Sequence, residues 1–456
     1  MRFALVILLI VTIRAEAAPM VLGLHHERHG LDQVHQGRLL ITELRCVACH
    51  ASESVKHKKG PDLSLVGSRV NPDYIQKFIA SPHSVDPGTQ MPDLLAGNPK
   101  RDEFVEALTH YLVSRSEKSF VEGMVNQGRI GEGKKLFERI GCLNCHMPGK
   151  GVQLAHVPSK YGVDSLTEFL FQPLHTRPSG RMPDMNLTRE EAKSIASYLI
   201  GLKVVKLSEF KPEAAKIKAG KRYFGQLNCA SCHELDGLKL KGRSSLALDK
   251  LRAGRGCLTA SPKGVPHFHL SVKQRLAIGQ ALQGMEKPIG DKEQIDQTLA
   301  GFNCVACHTR DGAGGVSNAM FQYFGTDEDG LGNPARIPPT LDGLGAKLRP
   351  EWLRKVLFDA QTVRPYMHTR MPQFGETNLQ HLPALFEKVD RLPKVELPEP
   401  KRNDRRKYRE GGHLLVGDKG LNCIACHNFN GKISPGLKGV DLLNSFERLQ
   451  PSWFVY

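Results

Sequence analysis

Apolar and polar positions follow a helical period in five stretches of the chain, and each stretch ends at a cysteine. Three of them begin with glycine nine residues before that cysteine and carry an apolar residue five residues before it: Gly37 and Ile41, Gly133 and Phe137, Gly220 and Phe224. Residues 295–303 keep the pattern without the glycine, and residues 411–422 lengthen it by a short loop. The period predicts one amphipathic helix before each cysteine.

Further helical patterns lie downstream of the cysteines. Residues 71–80 and 349–358 each predict a helix that is followed by a turn and a Met-Pro pair, and residues 187–202 predict a closing helix. The first cysteines of the five stretches are spaced 75 to 119 residues apart. Such sequence spacings exceed the length of a solenoid repeat and match one small domain for each of the five stretches.

We therefore predict an all-α fold of small domains in tandem. The predicted boundaries are 1–18 for a signal peptide, 19–120, 121–206, 207–290 and 291–391 for four domains, 392–408 for a linker, and 409–456 for an incomplete fifth domain. The linker is rich in proline and charge, a composition typical of an exposed, semi-rigid connection.

Each cysteine opens the pattern Cys-x-x-Cys-His, which uses ten of the eleven cysteines. The copies are Cys46, Cys49 and His50; Cys142, Cys145 and His146; Cys229, Cys232 and His233; Cys304, Cys307 and His308; Cys423, Cys426 and His427. This composition gives about 0.01 matches by chance. Two thiols on one turn can add to the two vinyl groups of a porphyrin, and the adjacent histidine then ligates the iron. The pattern predicts five covalent haem c groups.

Two other readings of the cysteine pairs explain less. Structural zinc needs four ligands, usually from two cysteine pairs or from a pair and a distant histidine pair, and does not require histidine beside the second cysteine. Disulfides within each pair would explain the two cysteines but not the adjacent histidine.

The N-terminus predicts export. Arg2 precedes an apolar run at 3–13, and Ala15-Glu16-Ala17 forms a small-x-small cleavage site, as in a secretory signal peptide. The run is shorter than the roughly 20 residues of a membrane span. A periplasmic location follows for a c-type haem protein, and it argues against nucleic acid as the partner of the basic chain. The formal charge is +16, and ten haem propionates would reduce it to about +6.

Three methionines are predicted as the sixth ligands of iron: Met91, Met182 and Met371. Lone methionines more often fill cores, but each of these follows a predicted helix and a turn and precedes proline. Paired histidine and methionine ligands raise the reduction potential of haem iron, which suits electron relay.

The order of these features resembles class I cytochrome c domains, namely Cys-x-x-Cys-His, a Gly-Pro-x-Leu turn, a helix, Met-Pro and a closing helix. The tandem array, with its RPEWL and RMP sequences, resembles multihaem c-type cytochromes of planctomycete-like bacteria. The resemblance implies that a proline carbonyl orients each proximal histidine: Pro61 for His50, Pro339 for His308 and Pro435 for His427. The second domain, with GVQLAHVP at 151–158, has no clear equivalent.

The third domain has Val265 where the second has Met182, and valine cannot ligate iron. His267, His269 and Cys257 are the candidate ligands, and an open iron is the alternative. The fifth domain ends three residues after Trp453, whereas Met371 lies 19 residues beyond the matching Trp352. This favours a truncated product, and the alternative is a distal ligand from elsewhere.

Together these features predict an exported pentahaem cytochrome that transfers single electrons between redox protein partners. A periplasmic dehydrogenase is one such partner, and the chain would then be its cytochrome subunit, because no catalytic domain is evident. Two alternatives depend on an open third haem: a peroxidase or reductase, and a sensor of small ligands. Apart from the signal peptide, the sequence predicts no membrane-spanning segment.

Overall fold

The computed structural model describes residues 18–201, 210–235, 245–285, 287–393 and 401–455 of the 456-residue chain. The predicted signal peptide lies outside these residues except for Ala18, and the predicted linker is described only at its ends. Within the described residues the structure is mainly helical with one small sheet, so the prediction of a mainly helical chain is confirmed. The domain boundaries stay a prediction, and the five parts are called segments below.

Twelve helices of eight or more residues occur in the described part of the chain. They are α1 (Gln33–Glu43), α2 (Pro72–Ala80), α3 (Arg101–Val113), α4 (Ile130–Ile140), α5 (Val163–Phe171), α6 (Arg189–Gly201), α7 (Ala214–Gln226), α8 (Val272–Ala281), α9 (Asp291–Gly301), α10 (Pro350–Phe358), α11 (Leu382–Val389) and α12 (Arg405–Val416). The shorter α-helices are Val66–Arg69, Pro82–Val85, Leu143–His146, Val157–Lys160, Pro173–Thr176, Asn333–Arg336, Leu344–Lys347, Glu376–Leu379, Asn444–Arg448 and Pro451–Val455.

Short 3₁₀ helices and one hairpin complete the secondary structure of the described residues. The 3₁₀ helices are Leu22–His25, Cys46–Ala48, Gln127–Arg129, Cys229–Ser231, Leu248–Lys250, Gly256–Leu258, Leu282–Gly284, Cys304–Ala306, Asn318–Tyr323, Asp329–Leu331, Arg402–Asp404 and Cys423–Ala425. Strands β1 (Thr309–Arg310) and β2 (Ala313–Gly314) are antiparallel, and Thr309 pairs with Gly314. Four of the five cysteine patterns therefore begin in a 3₁₀ turn.

A leading helix precedes each cysteine pattern, and a closing helix ends each of the first four segments. In the second and fourth segments these two helices pack on each other, α4 on α6 and α9 on α11. Gly133 lies at the first of these crossings, where a β-carbon would be 2.0 Å from the carbonyl oxygen of Ser194. The glycine therefore lets the two backbones approach closely, which no other residue would allow.

The first and third segments exchange their closing helices. Helix α1 packs on α8 of the third segment, and α7 of the third segment packs on α3 of the first. A β-carbon at Gly37 would lie 2.0 Å from the carbonyl oxygen of Ala277, and one at Gly220 would lie 2.0 Å from that of Ala107. The glycine before the cysteine thus marks a helix crossing in all three segments, but two of the crossings join different segments.

The buried apolar clusters follow the same pairing. Ile41 of α1 lies in one cluster with Ile278 of α8, whereas Phe224 of α7 lies in another with Tyr111 of α3 and with the second segment. The fourth segment has a cluster of its own, which includes Phe386 of α11. Because apolar burial is the main driving force of folding, the exchanged pairing is the one that closes the first and third cores.

Residues that follow each cysteine pattern form what we call a C-terminal half: 61–113, 152–201, 245–285, 339–390 and 440–455. Two kinds of backbone contact join these halves in pairs. The first kind lies two residues after the Met-Pro position or its equivalent and joins Asp93 with His267 and Asp184 with Gln373. The second kind lies just before α2, α5, α10 and the short helix Pro451–Val455, and it joins Asn71 with Lys160 and Leu348 with Leu449. The halves therefore follow one another in the order third, first, second, fourth and fifth.

The fifth segment is the least buried of the described parts. Helix α12 contains no buried residue, and Leu421 and Phe446 are each more than 70% exposed. Its last described residues contact the fourth segment, where the Gln450 side chain donates hydrogen bonds to the carbonyl oxygens of Gly345 and Leu348.

Candidate haem sites

All five cysteine patterns share one backbone hydrogen bond and a left-handed residue before the first cysteine. In each, the histidine amide donates to the carbonyl oxygen of the first cysteine at 2.9–3.0 Å. The residue before that cysteine has a left-handed backbone: Arg45, Gly141, Asn228, Asn303 and Asn422. Glycine and asparagine tolerate this conformation, whereas arginine adopts it at a cost. The turn brings both sulfurs and the imidazole together, as covalent attachment to one porphyrin requires.

Every pattern histidine is oriented by a backbone carbonyl. The acceptors of its Nδ1 atom are Leu246 for His50 at 2.7 Å, Val152 for His146 at 3.0 Å, Pro61 for His233 at 2.8 Å, Pro339 for His308 at 2.7 Å and Val440 for His427 at 2.9 Å. A ring that donates from Nδ1 keeps its lone pair on Nε2, which is the tautomer that ligates a metal.

These hydrogen bonds test the three pairings of a proline carbonyl with a histidine that the resemblance implied. The pairing of Pro339 with His308 is confirmed. The pairing of Pro61 with His50 is wrong, because Pro61 belongs to the C-terminal half that the third segment uses, and its carbonyl accepts from His233. The pairing of Pro435 with His427 is also wrong. Gly439 pairs with the backbone of His427 and brings the next carbonyl, that of Val440, to the ring. In the second segment Val152 takes this role.

One continuous cavity of about 360 Å³ contacts the first three patterns. Its lining includes their six cysteines and three histidines, and also Met91 and Met182. Burial raises the pKa of the Cys142 and Cys229 thiols to about 12, so these sulfurs are uncharged in the unmodified chain. Mostly apolar walls, neutral thiols and histidines facing one space fit a large apolar ring system with a metal at its centre.

Cations on the wall of this cavity fit the acidic edge of such a group. Arg45, Lys160, Arg177 and Arg181 all line it, and within the described residues none of the three arginines forms an ion pair. The Nε atoms of Arg45 and Arg177 are buried and lack a hydrogen-bond partner in that part of the chain. Burial also lowers the pKa of Arg181 to about 10. Unpaired buried cations are costly, and haem propionates are anions that would pair with them.

The fourth pattern faces a smaller cavity of about 80 Å³, which Cys304, His308 and Arg310 line. Burial raises the pKa of the Cys304 thiol to about 12. Met371 is 40% exposed and is not among the described residues on this wall. The fourth pattern lies beside the second, because the Asn303 side chain is 3.5 Å from the sulfur of Cys145.

None of the three candidate ligands of the third iron packs in the apolar cluster of the third pattern, although Cys257 lines the same large cavity. Cys257 lines the large cavity and packs in the cluster of Cys46, whereas Cys229 packs in the cluster of α3. The His267 and His269 rings stack with centroids 3.8 Å apart, and neither residue is among those that line the cavity. Sequence reasoning placed these residues by chain order and therefore missed the exchange. The buried arginines were also missed, although Arg181 and Arg370 precede Met-Pro in the RMP sequences.

Comparisons with known proteins agree with a haem protein. No family model and no solved structure matches the chain. The Cbb3-type cytochrome c oxidase subunit CcoP of Helicobacter pylori is 33% identical over a 126-residue alignment, and the match covers 25% of this chain and 42% of that protein. CcoP of Helicobacter pylori strain 52 is 32% identical over the same shares. The chain thus spans less than half of the length of these relatives. The similarity supports a cytochrome c-type protein.

Proposed function

We propose that the chain is an exported pentahaem c-type cytochrome that carries single electrons between redox proteins. The five cysteine pairs would hold the haems, and His50, His146, His233, His308 and His427 would be the proximal ligands. Met91, Met182 and Met371 would be distal ligands. Bound haem supplies a reversible one-electron couple whose potential depends on the axial ligands.

The side chains of the protein would set the conditions for this transfer. Hydrogen bonds from Nδ1 fix the tautomer and the ring orientation of each proximal histidine. The arginines that line the large cavity would pair with the haem propionates and so hold each haem in a fixed position. Because one cavity serves three cysteine patterns, electrons would pass among the first three sites without leaving the protein.

Location and partners belong to the same proposal. The N-terminal pattern supports export to the periplasm, and no helix in the described part of the chain is long and apolar enough to cross a membrane. The relatives carry the name of an oxidase subunit, which supports a redox protein as the partner. A periplasmic dehydrogenase that donates electrons, with this chain as its cytochrome subunit, is the specific form we propose. The closer likeness to planctomycete-like multihaem cytochromes is part of this proposal.

One observation carries the proposal: five Cys-x-x-Cys-His turns share the same backbone hydrogen bond from histidine to the first cysteine, and each orients its histidine through Nδ1. The test is pyridine haemochrome quantification of the purified protein, with mass spectrometry of the intact chain. We expect five covalent haems in each chain and a spectrum of mainly low-spin iron. A chain without covalent haem would overturn the proposal. Retention of zinc instead would favour the structural reading of the cysteine pairs.

A further inference from the structure

The first and third cysteine patterns are each completed by the C-terminal half of the other segment. For the first pattern, the contacts come from residues 245–285. The imidazole of His50 contacts the carbonyl oxygen of Leu246 at 2.7 Å and the hydroxyl of Ser245 at 2.8 Å. The Ser245 hydroxyl donates to the carbonyl of Cys49 at 2.6 Å, and the Leu248 amide donates to that of Ala51 at 2.9 Å.

For the third pattern, the contacts come from residues 61–113 and the residue before them. Pro61 accepts from His233, the Gly60 amide donates to the carbonyl of Cys232 at 2.6 Å, and the Leu63 amide donates to that of Glu234 at 2.8 Å. The pairing of α7 with α3 extends this contact, and an ion pair between Lys216 and Glu106 joins the two helices at 2.7 Å. The two sets of contacts are reciprocal, so neither half is left without a partner.

Chain connections in these two segments are long enough for such an exchange. Ten residues separate His50 from Pro61, and twelve separate His233 from Leu246. Ten residues can span up to about 35 Å when extended. Exchange of identical elements across long connections is a low-cost rearrangement because the interfaces it forms are those of the unexchanged fold.

We propose that the first and third haem sites are built from exchanged halves, so that Met91 ligates the iron bound by His233 and the iron bound by His50 has no methionine. This inference rests on the proposed haem function. Val265 takes the methionine position of the half that serves His50. Val265 is equivalent to Met91 because His267, two residues after Val265, pairs with Asp93, two residues after Met91. The same register pairs Gln373 with Asp184, two residues after Met371 and Met182.

The exchange changes which site has the lower potential. By chain order, the third site would lack methionine, whereas the exchanged arrangement gives that property to the first site. A haem without a thioether ligand has a lower potential than one with histidine and methionine. The first site is therefore the lower-potential member of the pair, and Cys257, which packs with Cys46, lies on its side of the structure.

Removal of single haems from the full-length holoprotein tests the exchange. The variants are C46S/C49S and C229S/C232S, each examined for its haem content and for the long-wavelength absorption band of methionine-ligated ferric haem. We expect four haems in both variants. C229S/C232S should lose about one third of the band, because one of three proposed methionine-ligated irons is gone, and C46S/C49S should keep the band.

Methionine variants complete this test. Added to C46S/C49S, M91A should remove about one third of the band, and added to C229S/C232S it should remove nothing further. The matched control M182A should remove one third of the wild-type band in both backgrounds. The opposite pattern for M91A would overturn the exchange while leaving the haem function intact. An unchanged band in M91A of the otherwise wild-type chain would also overturn it. A holoprotein without haem would instead overturn the proposed function.

Zero-length cross-linking of the wild-type holoprotein gives a second test that needs no variant. A carbodiimide joins a lysine amine to a carboxylate in direct contact. The exchange predicts cross-links from Lys216 to Glu106 and from Lys59 to Glu234, because both pairs form ion pairs across the two segments. Mass spectrometry that recovers the control pair Lys292 with Asp296, within α9, but neither of these cross-links would contradict the exchange.

Discussion

Two pairs of segments can be compared, the first with the third and the second with the fourth. The same kind of backbone contact joins the two members of each pair, but the chain connects their halves differently. Both pairs are joined at the residue two positions after the Met-Pro position or its equivalent, Asp93 with His267 and Asp184 with Gln373. In the second pair each leading helix packs on its own closing helix, whereas in the first pair the closing helices are exchanged. The same contacts between segments are thus compatible with both ways of running the chain.

The length of the connection after the histidine explains the difference. Only five residues separate His146 from Val152, and they form a tight turn in which the Val152 amide donates to Cys145 at 2.9 Å. Folded in this way, the connection returns Val152 to its own cysteine pattern. An exchange needs both members of a pair, so the fourth segment keeps its own half even though thirty residues separate His308 from Pro339. One short turn therefore determines the connectivity of two segments.

A buried ion pair of the fourth segment, a member of the unexchanged pair of segments, provides the largest expected effect. Arg310 follows the fourth pattern and forms a two-pronged contact with Asp390, at the end of α11, with both side chains less than 10% exposed. We expect Asp390→Ala to lower the free energy of unfolding by about 3–5 kcal/mol, because it leaves a buried cation unpaired. Chemical denaturation measures this loss. The exposed Asp359 in the same segment provides the control, and equal stability of Asp390→Ala and Asp359→Ala would contradict the role of the pair.

Methyl groups at the helix crossings should have the next largest effect. We expect Gly220→Ala to destabilise the protein by about 1–3 kcal/mol through overpacking of α7 against Ala107. Gly131→Ala in α4 is the matched control, because the space around Gly131 is open and alanine is the better helix former. Thermal unfolding compares the two. A Gly220→Ala protein as stable as Gly131→Ala would show that α7 does not cross α3 closely.

Loss of a buried cation should have a smaller effect, confined to the sites that share the large cavity. Removal of the positive charge of Arg177 stabilises ferric iron relative to ferrous iron by on the order of 1 kcal/mol, or roughly 40 mV for one electron. We expect Arg177→Gln to lower one or more potentials by this amount in a redox titration. Arg349→Gln, in the fourth segment outside that cavity, is the control. A rise in potential, or equal shifts in both variants, would count against the pairing with propionates.

The smallest expected change in stability comes from replacing a connection. Substituting residues 51–60 by the five-residue sequence 147–151 would make the first connection as short as the second, so the first segment must keep its own half. The interface between the halves stays the same, and we expect a change in unfolding free energy of less than about 1 kcal/mol. Methionine ligation should then move from the third haem to the first. Haem removal with C46S/C49S would now reduce the absorption band, and a band lost with C229S/C232S would refute the length argument.

Sequence patterns predicted the kind of each element but not its partner. The glycine nine residues before Cys46, Cys142 and Cys229 predicts a leading helix, and the structure shows that it marks a helix crossing. Because this signal is the same in each segment, it cannot indicate which closing helix crosses there. The orienting carbonyl of Pro61 was assigned to His50 for the same reason. Burial and hydrogen bonding across some 170 to 200 residues decide the pairing, and no local pattern records them.

The exchange has a consequence for the order in which the sites can be assembled as the chain is synthesised. His50 and the carbonyl that orients it are 196 residues apart, whereas His146 and Val152 are six apart. Closing the longer loop costs more chain entropy, and the site of His50 cannot close before residue 246 has been synthesised. The second site, although made later than the first cysteine pattern, can therefore close first. The first cysteine pattern is therefore synthesised before the second, but its site is completed only after residues 245–285 have been added.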